Sequence, residues 1–324
     1  MAEILEKQVM AKEIVPQLGN FTITTSKGPL IEVYRPTLSV IVKTTDENER
    51  RQAQDSIERA GFREIYAQYT PSSFAREGIT SYNAAYIKTK SGKDVPRITD
   101  VNSATFGDWL KEVALLEGKD AAMVLDTNII MRHYMRNLLP REPLKNVPLR
   151  IPRIVLLEIE RIYNSDSKEK EVQKRRLALY AARENIFLMT ELGAQLLPEL
   201  DKATLEAFSR IAGERFSDAW IRRETREYLS QYGGRGVRIF HPLLFATCDL
   251  MNALTASAEN LGVLYFSRKE EKESYAYVDV TQVAELIIDL AISMGKVSIG
   301  PVTYEGLWQG KTIGQWETDC IRRF

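Results

Sequence analysis

Four short apolar runs punctuate the second half of the chain: Ala121–Leu125, Ile186–Met189, Leu243–Ala246 and Val263–Phe266. None alternates polar with apolar residues, and helix-length amphipathic segments separate them. Uninterrupted runs of this length fit strands buried on both faces of a parallel sheet, where helices cover each side. The pattern predicts an α/β domain over roughly 119–290. Between the runs, Lys168 to Arg183 reads as a charged helix, Ala203 to Tyr232 as a long helical stretch ended by Gly233-Gly234, and Thr281 to Met294 as a further helix.

The first 115 residues read differently. Leu38 to Lys43 is rich in β-branched residues, Asp46 to Ala60 reads as a helix ended by Gly61, and Phe62 to Tyr69 returns to strand composition. Together they suggest a βαβ unit inside a smaller α+β domain. A helix over Asp108 to Glu117 runs close to the first strand of the second domain, which predicts packed neighbours without a flexible linker. Residues 291–324 carry the aromatic-glycine units Gly306 to Trp308 and Gly314 to Trp316, and read as a β-rich tail or cap. The expected division is therefore 1–115, 119–290 and 291–324.

Charge narrows the function classes. The chain has 44 Lys plus Arg against 44 Asp plus Glu, which excludes a globally basic surface that coats nucleic acid but allows local patches. No run approaches the ~18 apolar residues of a membrane span, and the acidic, broken N-terminus does not resemble a signal peptide. A cytoplasmic protein with no membrane partner is expected. Cys248 and Cys320 are too few for a disulfide framework and read as reduced thiols. His133 and His241 are too isolated to form a metal pair.

In an open parallel sheet, ligands bind beyond the carboxyl ends of the strands. Two runs lead directly into polar residues there: Asp126-Thr127-Asn128 after the first, and Thr247-Cys248-Asp249 after the third. Glu158 follows an apolar helical face, and Glu160, two residues on, cannot share that face. Asp218 stands near a helix start, with Ser217 as a plausible cap. Each of these acids also suits a plainer role. Asp126 and Asp249 fit helix N-caps, and Glu158 and Asp218 fit surface helical charges.

The order Asp126-Thr127-Asn128, Val155 to Glu158, Asp218, then Thr247-x-Asp249 resembles the PIN-domain nucleases over about 119–270, with spacings of 32, 60 and 31 residues between the acids. The resemblance implies a parallel sheet sandwiched by helices. It also implies that Asp126, Glu158, Asp218 and Asp249 gather at one edge to hold Mg2+ or Mn2+ for hydrolysis of RNA phosphodiesters. Thr127, Asn128 and Thr247 take the accessory polar positions. Cys248 stands where the family often has Asn. Mg2+ is a hard cation served by one or two carboxylates plus substrate oxygens, and clustered carboxylates repel one another unless a cation joins them. A catalytically inactive scaffold binding RNA or protein, and a structure-specific DNA nuclease, are the rival readings.

A polyanionic substrate needs cations around such a centre. Residues 150–183 carry a local net of +4 and residues 210–238 a net of +3, whereas residues 1–120 carry −1. Arg132, Arg136, Lys174, Arg175, Arg176, Arg222 and Arg223 are the expected RNA contacts, arginine being suited to bidentate phosphate binding. Balanced charge makes the N-terminal domain an expected contact for a protein partner or a homo-oligomer. Tyr66, Tyr69, Tyr82 and Tyr86 read as ordinary core or surface tyrosines in preference to base-stacking platforms.

Overall fold

A computed structural model of the chain describes residues 7–8, 19–35, 37–61, 63–64, 86–88, 94–96, 98–100, 122–135, 147–164, 169–198, 206, 217–232, 243–266, 274–276, 280–306 and 321–323. The expected helix over 108–117, the tyrosines at 66, 69 and 82, Arg136, His241, Cys320 and both aromatic-glycine tryptophans lie outside them.

Six strands form one fully parallel sheet in the spatial order Gln195–Leu196, Leu149–Ile151, Ala122–Leu125, Leu243–Thr247, Gly262–Tyr265 and Ile98–Asp100. Met123, Val124, Leu125, Phe245, Val263 and Leu264 are fully buried, as strands covered on both faces require. Three of the four apolar runs are thus strands. The fourth is not: Ile186–Met189 lies inside the helix Glu169–Thr190. A short apolar run suits a buried helical turn as well as a strand, and no glycine or proline interrupts this segment before Gly193, whose φ of 65° ends it. The strand in that part of the sheet is the two-residue Gln195–Leu196.

From Ala122–Leu125 the chain adds strands on one side, through Leu149–Ile151 and Gln195–Leu196, and then returns to add Leu243–Thr247 on the other. The two central strands therefore flank a topological switch point, where successive connections diverge and leave space beyond the carboxyl ends. Their register aligns Leu125 with Ala246, so Asp126 and Thr247 emerge side by side. Asp126 N–H donates to Ala246 O at 3.0 Å and locks that alignment.

A separate nine-stranded antiparallel sheet combines both ends of the chain. Lys296–Ile299 pairs with Phe21–Thr25, and Ser274–Ala276 inserts between Ser39–Val42 and Arg63–Glu64. The expected βαβ unit is present as Ser39–Val42, the helix Glu47–Arg59 and Arg63–Glu64, but this antiparallel strand splits its two strands apart. Asp46 caps the helix by accepting Glu49 N–H at 3.0 Å, and Gly61 follows it at φ 81°. One sheet face packs Ile23, Ile31, Val33 and Val40 against Ala53 and Ile57 of this helix and Leu286, Ile287 and Leu290 of the helix Val280–Met294. Inside that core, Arg59 donates Nε and Nη2 to Asp289 Oδ2 and Oδ1, both at 2.6 Å.

The chain divides into two compact units, one of Met1–Gln68, Ile162–Arg183 and Glu270–Phe324, the other of Tyr69–Arg161 and Glu184–Lys269. The division read from sequence is linear along the chain, and these units cross it. Val280–Met294 and the strands that follow it join the N-terminal sheet through pairings that span more than two hundred residues, as in Ile23 with Ile299. Among the described residues, no helix is long and apolar enough to cross a membrane.

Candidate active site at the strand ends

Asp126 leaves its strand in extended conformation and starts the helix Thr127–Met131 as its N-cap. Its side chain is 1% exposed, and its Oδ1 accepts Thr127 N–H at 2.7 Å. Its Oδ2 accepts from Asn128 Nδ2 at 2.8 Å, Thr247 Oγ1 at 2.6 Å and Asn252 Nδ2 at 2.9 Å. Burial pushes the Asp126 carboxyl up to about 7, against the lowering effect of the Thr247 hydroxyl, and the charges of Asp218 and Glu158 add to the rise. Capping does not use up this carboxylate. The cap occupies one lone pair of Oδ1, while the carboxylate still faces its acidic neighbours.

The other three acids converge from separate elements. Glu158 lies on the helix Arg153–Asn164 and accepts from the Thr127 hydroxyl at 2.5 Å, whereas Glu160 is exposed. Asp218 stands in the first turn of Ser217–Tyr232. Its carboxyl is raised by burial first and then by Glu158 and Asp249, with Arg222 pulling in the opposite direction. Asp249 is exposed and caps Leu250–Ala258 by accepting Asn252 N–H at 3.0 Å. Asp218 thus feels both Glu158 and Asp249, and Asp126 feels both Asp218 and Glu158.

The accessory residues tie the two central strand ends together. Asn128 donates to Thr247 Oγ1 at 3.2 Å, and its Oδ1 accepts Cys248 N–H at 2.9 Å. The residue at 248 contributes its backbone to this bond, so a cysteine side chain serves there. Asn252 is the member of the network that sequence reasoning missed. It follows Asp249 by three residues and turns its amide onto the buried face of the helix Leu250–Ala258, at 2% exposure.

Glu224 was missed as well. It is 2% exposed, and its Oε1 and Oε2 accept the N–H groups of Arg153 and Ile154 at 2.8 and 3.1 Å. A carboxylate from Ser217–Tyr232 therefore caps the helix that carries Glu158. Burial pushes Glu224 up to about 7, opposed by those two backbone bonds.

Of the expected cations, Arg223 is exposed, bonds Glu227 at 2.8 Å and stacks over Trp220 at 5.1 Å. Arg132 ends the helix Thr127–Met131 and donates to the Tyr134 hydroxyl at 3.3 Å. Lys174, Arg175 and Arg176 lie on the helix Glu169–Thr190, and their side chains are outside the described residues. Arg222 does not have the placement of a phosphate contact. It is 8% exposed, with Nη1 donating to Asn252 Oδ1 and Nε to Glu259 Oε2 at 3.2 Å. Four residues after Asp218, it shares the inward face of its helix.

Residues 123–266 match the family model of the PIN domain. PIN domains are generally nucleases, and the matched stretch takes in all four candidate acids and, apart from Ala122, both central strands. No curated protein matches the chain. Among the solved structures that match is a domain of a functionally unknown protein from Methanocaldococcus jannaschii DSM 2661, at 20% identity and a TM-score of 0.35, covering 49% of this chain and 99% of that one.

The donor set of this site suits a hard divalent cation. It is made of oxygen, and burial first, then the charges of neighbouring acids, raise the Asp126 and Asp218 carboxyls, a cost that a cation would relieve. Among the described residues, no group of three or more His, Cys, Asp or Glu side chains is drawn tightly enough to form a metal-binding cluster as it stands. Mg2+ does not demand one, since it keeps several waters and takes one or two carboxylates directly. Asp126 Oδ1, which accepts a single hydrogen bond among the described residues, retains a lone pair for that purpose.

Proposed function

We propose that the chain is a metal-dependent ribonuclease, with Asp126, Glu158, Asp218 and Asp249 holding Mg2+ or Mn2+ at the switch point of the parallel sheet. The observation that carries this reading is the convergence of Glu158 and Asp218, from two other helices, on the buried Asp126 carboxyl at the strand end, where their charges help raise it. A cation bound there would supply activation of a water and stabilisation of the leaving oxygen.

The chain's own residues do the remaining work. Thr127, Asn128, Thr247 and Asn252 fix the rotamer of Asp126. The Thr127 hydroxyl orients Glu158. Arg223 and Arg132 stand on the elements that carry or follow Asp218 and Asp126, as candidates for holding phosphates in register. The reading takes RNA as substrate and the cytoplasm as compartment, and gives the N-terminal domain the role of contact for a protein partner or a second copy.

A second reading has an observation of its own. The four hydrogen bonds on Asp126 satisfy it without a metal, as a PIN-like scaffold that only binds RNA or protein would require. Calorimetric titration with Mn2+ separates the two. The nuclease reading expects Mn2+ binding by the full chain and at least about tenfold weaker binding by Asp126→Asn. Identical isotherms for the two proteins would favour the scaffold. A preference for flap DNA over linear RNA would reassign the substrate.

A further inference from the structure

Asn252 is held between a group that only donates and a group that accepts when ionised. Its Oδ1 accepts from the Arg222 guanidinium, and its Nδ2 donates to Asp126 Oδ2 at 2.9 Å. A guanidinium has no acceptor and keeps its charge at any physiological pH, while an ionised carboxylate has no donor. Only one orientation of the amide satisfies both partners. The flipped amide would set its NH2 against the guanidinium and its oxygen against Asp126, leaving two buried contacts repulsive.

Arg222 is itself held. Its Nε donates to Glu259, which Arg226 also approaches at 3.6 Å, so the guanidinium is braced from the side away from Asn252. The same helix bears Asp218 one turn earlier. One buried cation thus acts on Asp218 while its described hydrogen bonds go to Asn252 and Glu259.

We propose that Arg222 is a positioning residue: it sets the amide orientation of Asn252 and, through it, which oxygen of Asp126 is offered to a divalent cation. With Asn128, Thr247 and Asn252 all donating to Oδ2, that oxygen is saturated, and Oδ1 is left to coordinate. If Arg222 is lost, the Asn252 amide is held at its Asp126 end alone, and the hydrogen bond it gives to Oδ2 loses its fixed direction. This inference rests on the metal-dependent reading of the site, and it replaces the expectation of Arg222 as a phosphate contact.

The test uses the full chain with two readouts, the side-chain amide resonances of Asn252 by NMR and Mn2+ affinity by titration calorimetry. Arg222→Gln, which offers both a donor and an acceptor, should alter the Asn252 amide resonances and weaken Mn2+ binding about 10- to 100-fold. Arg222→Lys keeps a donor-only cation and should restore the resonances and most of the affinity. Asn252→Ala should weaken Mn2+ binding to a similar degree, and the double variant Arg222→Gln with Asn252→Ala should be no worse than Asn252→Ala alone, because both changes break one relay. Additive losses, or unchanged amide resonances and Mn2+ affinity in Arg222→Gln, would overturn the proposal. Should the unaltered chain bind no Mn2+, the metal-dependent reading falls, while the amide resonances still decide whether Arg222 orients Asn252.

Discussion

Glu224 reaches across 71 residues of sequence to accept the N–H of Arg153 at 2.8 Å, and so fixes the start of the helix on which Glu158 is carried. Its second oxygen takes the next N–H, from Ile154, at 3.1 Å. A helix that begins without a capping side chain of its own is held by a carboxylate from a helix distant in sequence.

Replacement of Glu224 by Gln keeps one acceptor and turns an NH2 toward the other backbone N–H, leaving that donor buried and unpaired. The expected cost is about 1–3 kcal/mol, read by chemical denaturation. The gap depends on pH with a definite sign. The folded carboxyl lies near 7, above its ordinary 4.5, so its contribution is fully present below 4.5 and is lost as pH rises through 7. The deficit of Glu224→Gln should therefore shrink between pH 5 and 8, and a deficit that grew with pH would refute this description of the cap.

Asp126 obeys the same sign. Its folded value of about 7 against an ordinary 3.8 means that stability supplied by the protonated form fades as pH climbs from 4 to 8. Asp126→Asn cannot titrate, although its amide satisfies fewer of the four donors around it. Thermal melts across that range should show the midpoint of Asp126→Asn improving relative to the unaltered chain as pH rises. Parallel melting curves at every pH would mean that Asp126 is ionised in the folded protein throughout.

Part of the candidate site was legible because two of its acids sit where apolar runs stop. Asp126 and Asp249 follow strands whose burial leaves a plain mark in composition, and the ends of such strands are where a parallel sheet binds ligands. Asn252 and Glu224 left a weaker mark, because a polar residue on a helix is ordinarily solvated and only the three-dimensional partner shows otherwise. Arg222 reads from sequence as an RNA contact, since a charge count carries no direction. Its spacing of four from Asp218 was the available signal. Ile186–Met189 reads as a strand because four apolar residues do not reveal a period. The antiparallel sheet escaped for another reason: strand pairing across most of the chain, as between Ser298 and Thr24, leaves no local trace.

The Arg59 and Asp289 pair, 5% and 1% exposed at the side chain, is buried in the core of the antiparallel unit. Removing one partner strands the other charge. Asp289→Ala should cost about 3–5 kcal/mol, and the double change Arg59→Met with Asp289→Leu should recover most of it. Denaturant midpoints give both values, and a double variant as weak as the single one would show that the ion pair itself supplies stability.

Gly306 ends the strand Val302–Gly306 against the helix Val280–Met294, where an added Cβ would lie 2.5 Å from Ala291 O and 2.6 Å from Ile292 Cα. Backbone atoms cannot swing aside as a side chain can. Gly306→Ala should lower stability by about 1–3 kcal/mol through overpacking, whereas Gly300→Ala, which meets nothing within 4 Å, should be limited to the strain of its φ of 56°. Equal losses at the two positions would show that close approach is not what requires glycine at 306.

Cleavage of a single-stranded RNA by the full chain, with and without Mg2+ or Mn2+ and in parallel with Asp126→Asn, addresses the central claim most directly. The account predicts cleavage that requires the divalent ion, stops on chelation, and falls by about 100-fold or more in Asp126→Asn. Equal cleavage by the two proteins, or cleavage that persists undiminished in excess chelator, would contradict it.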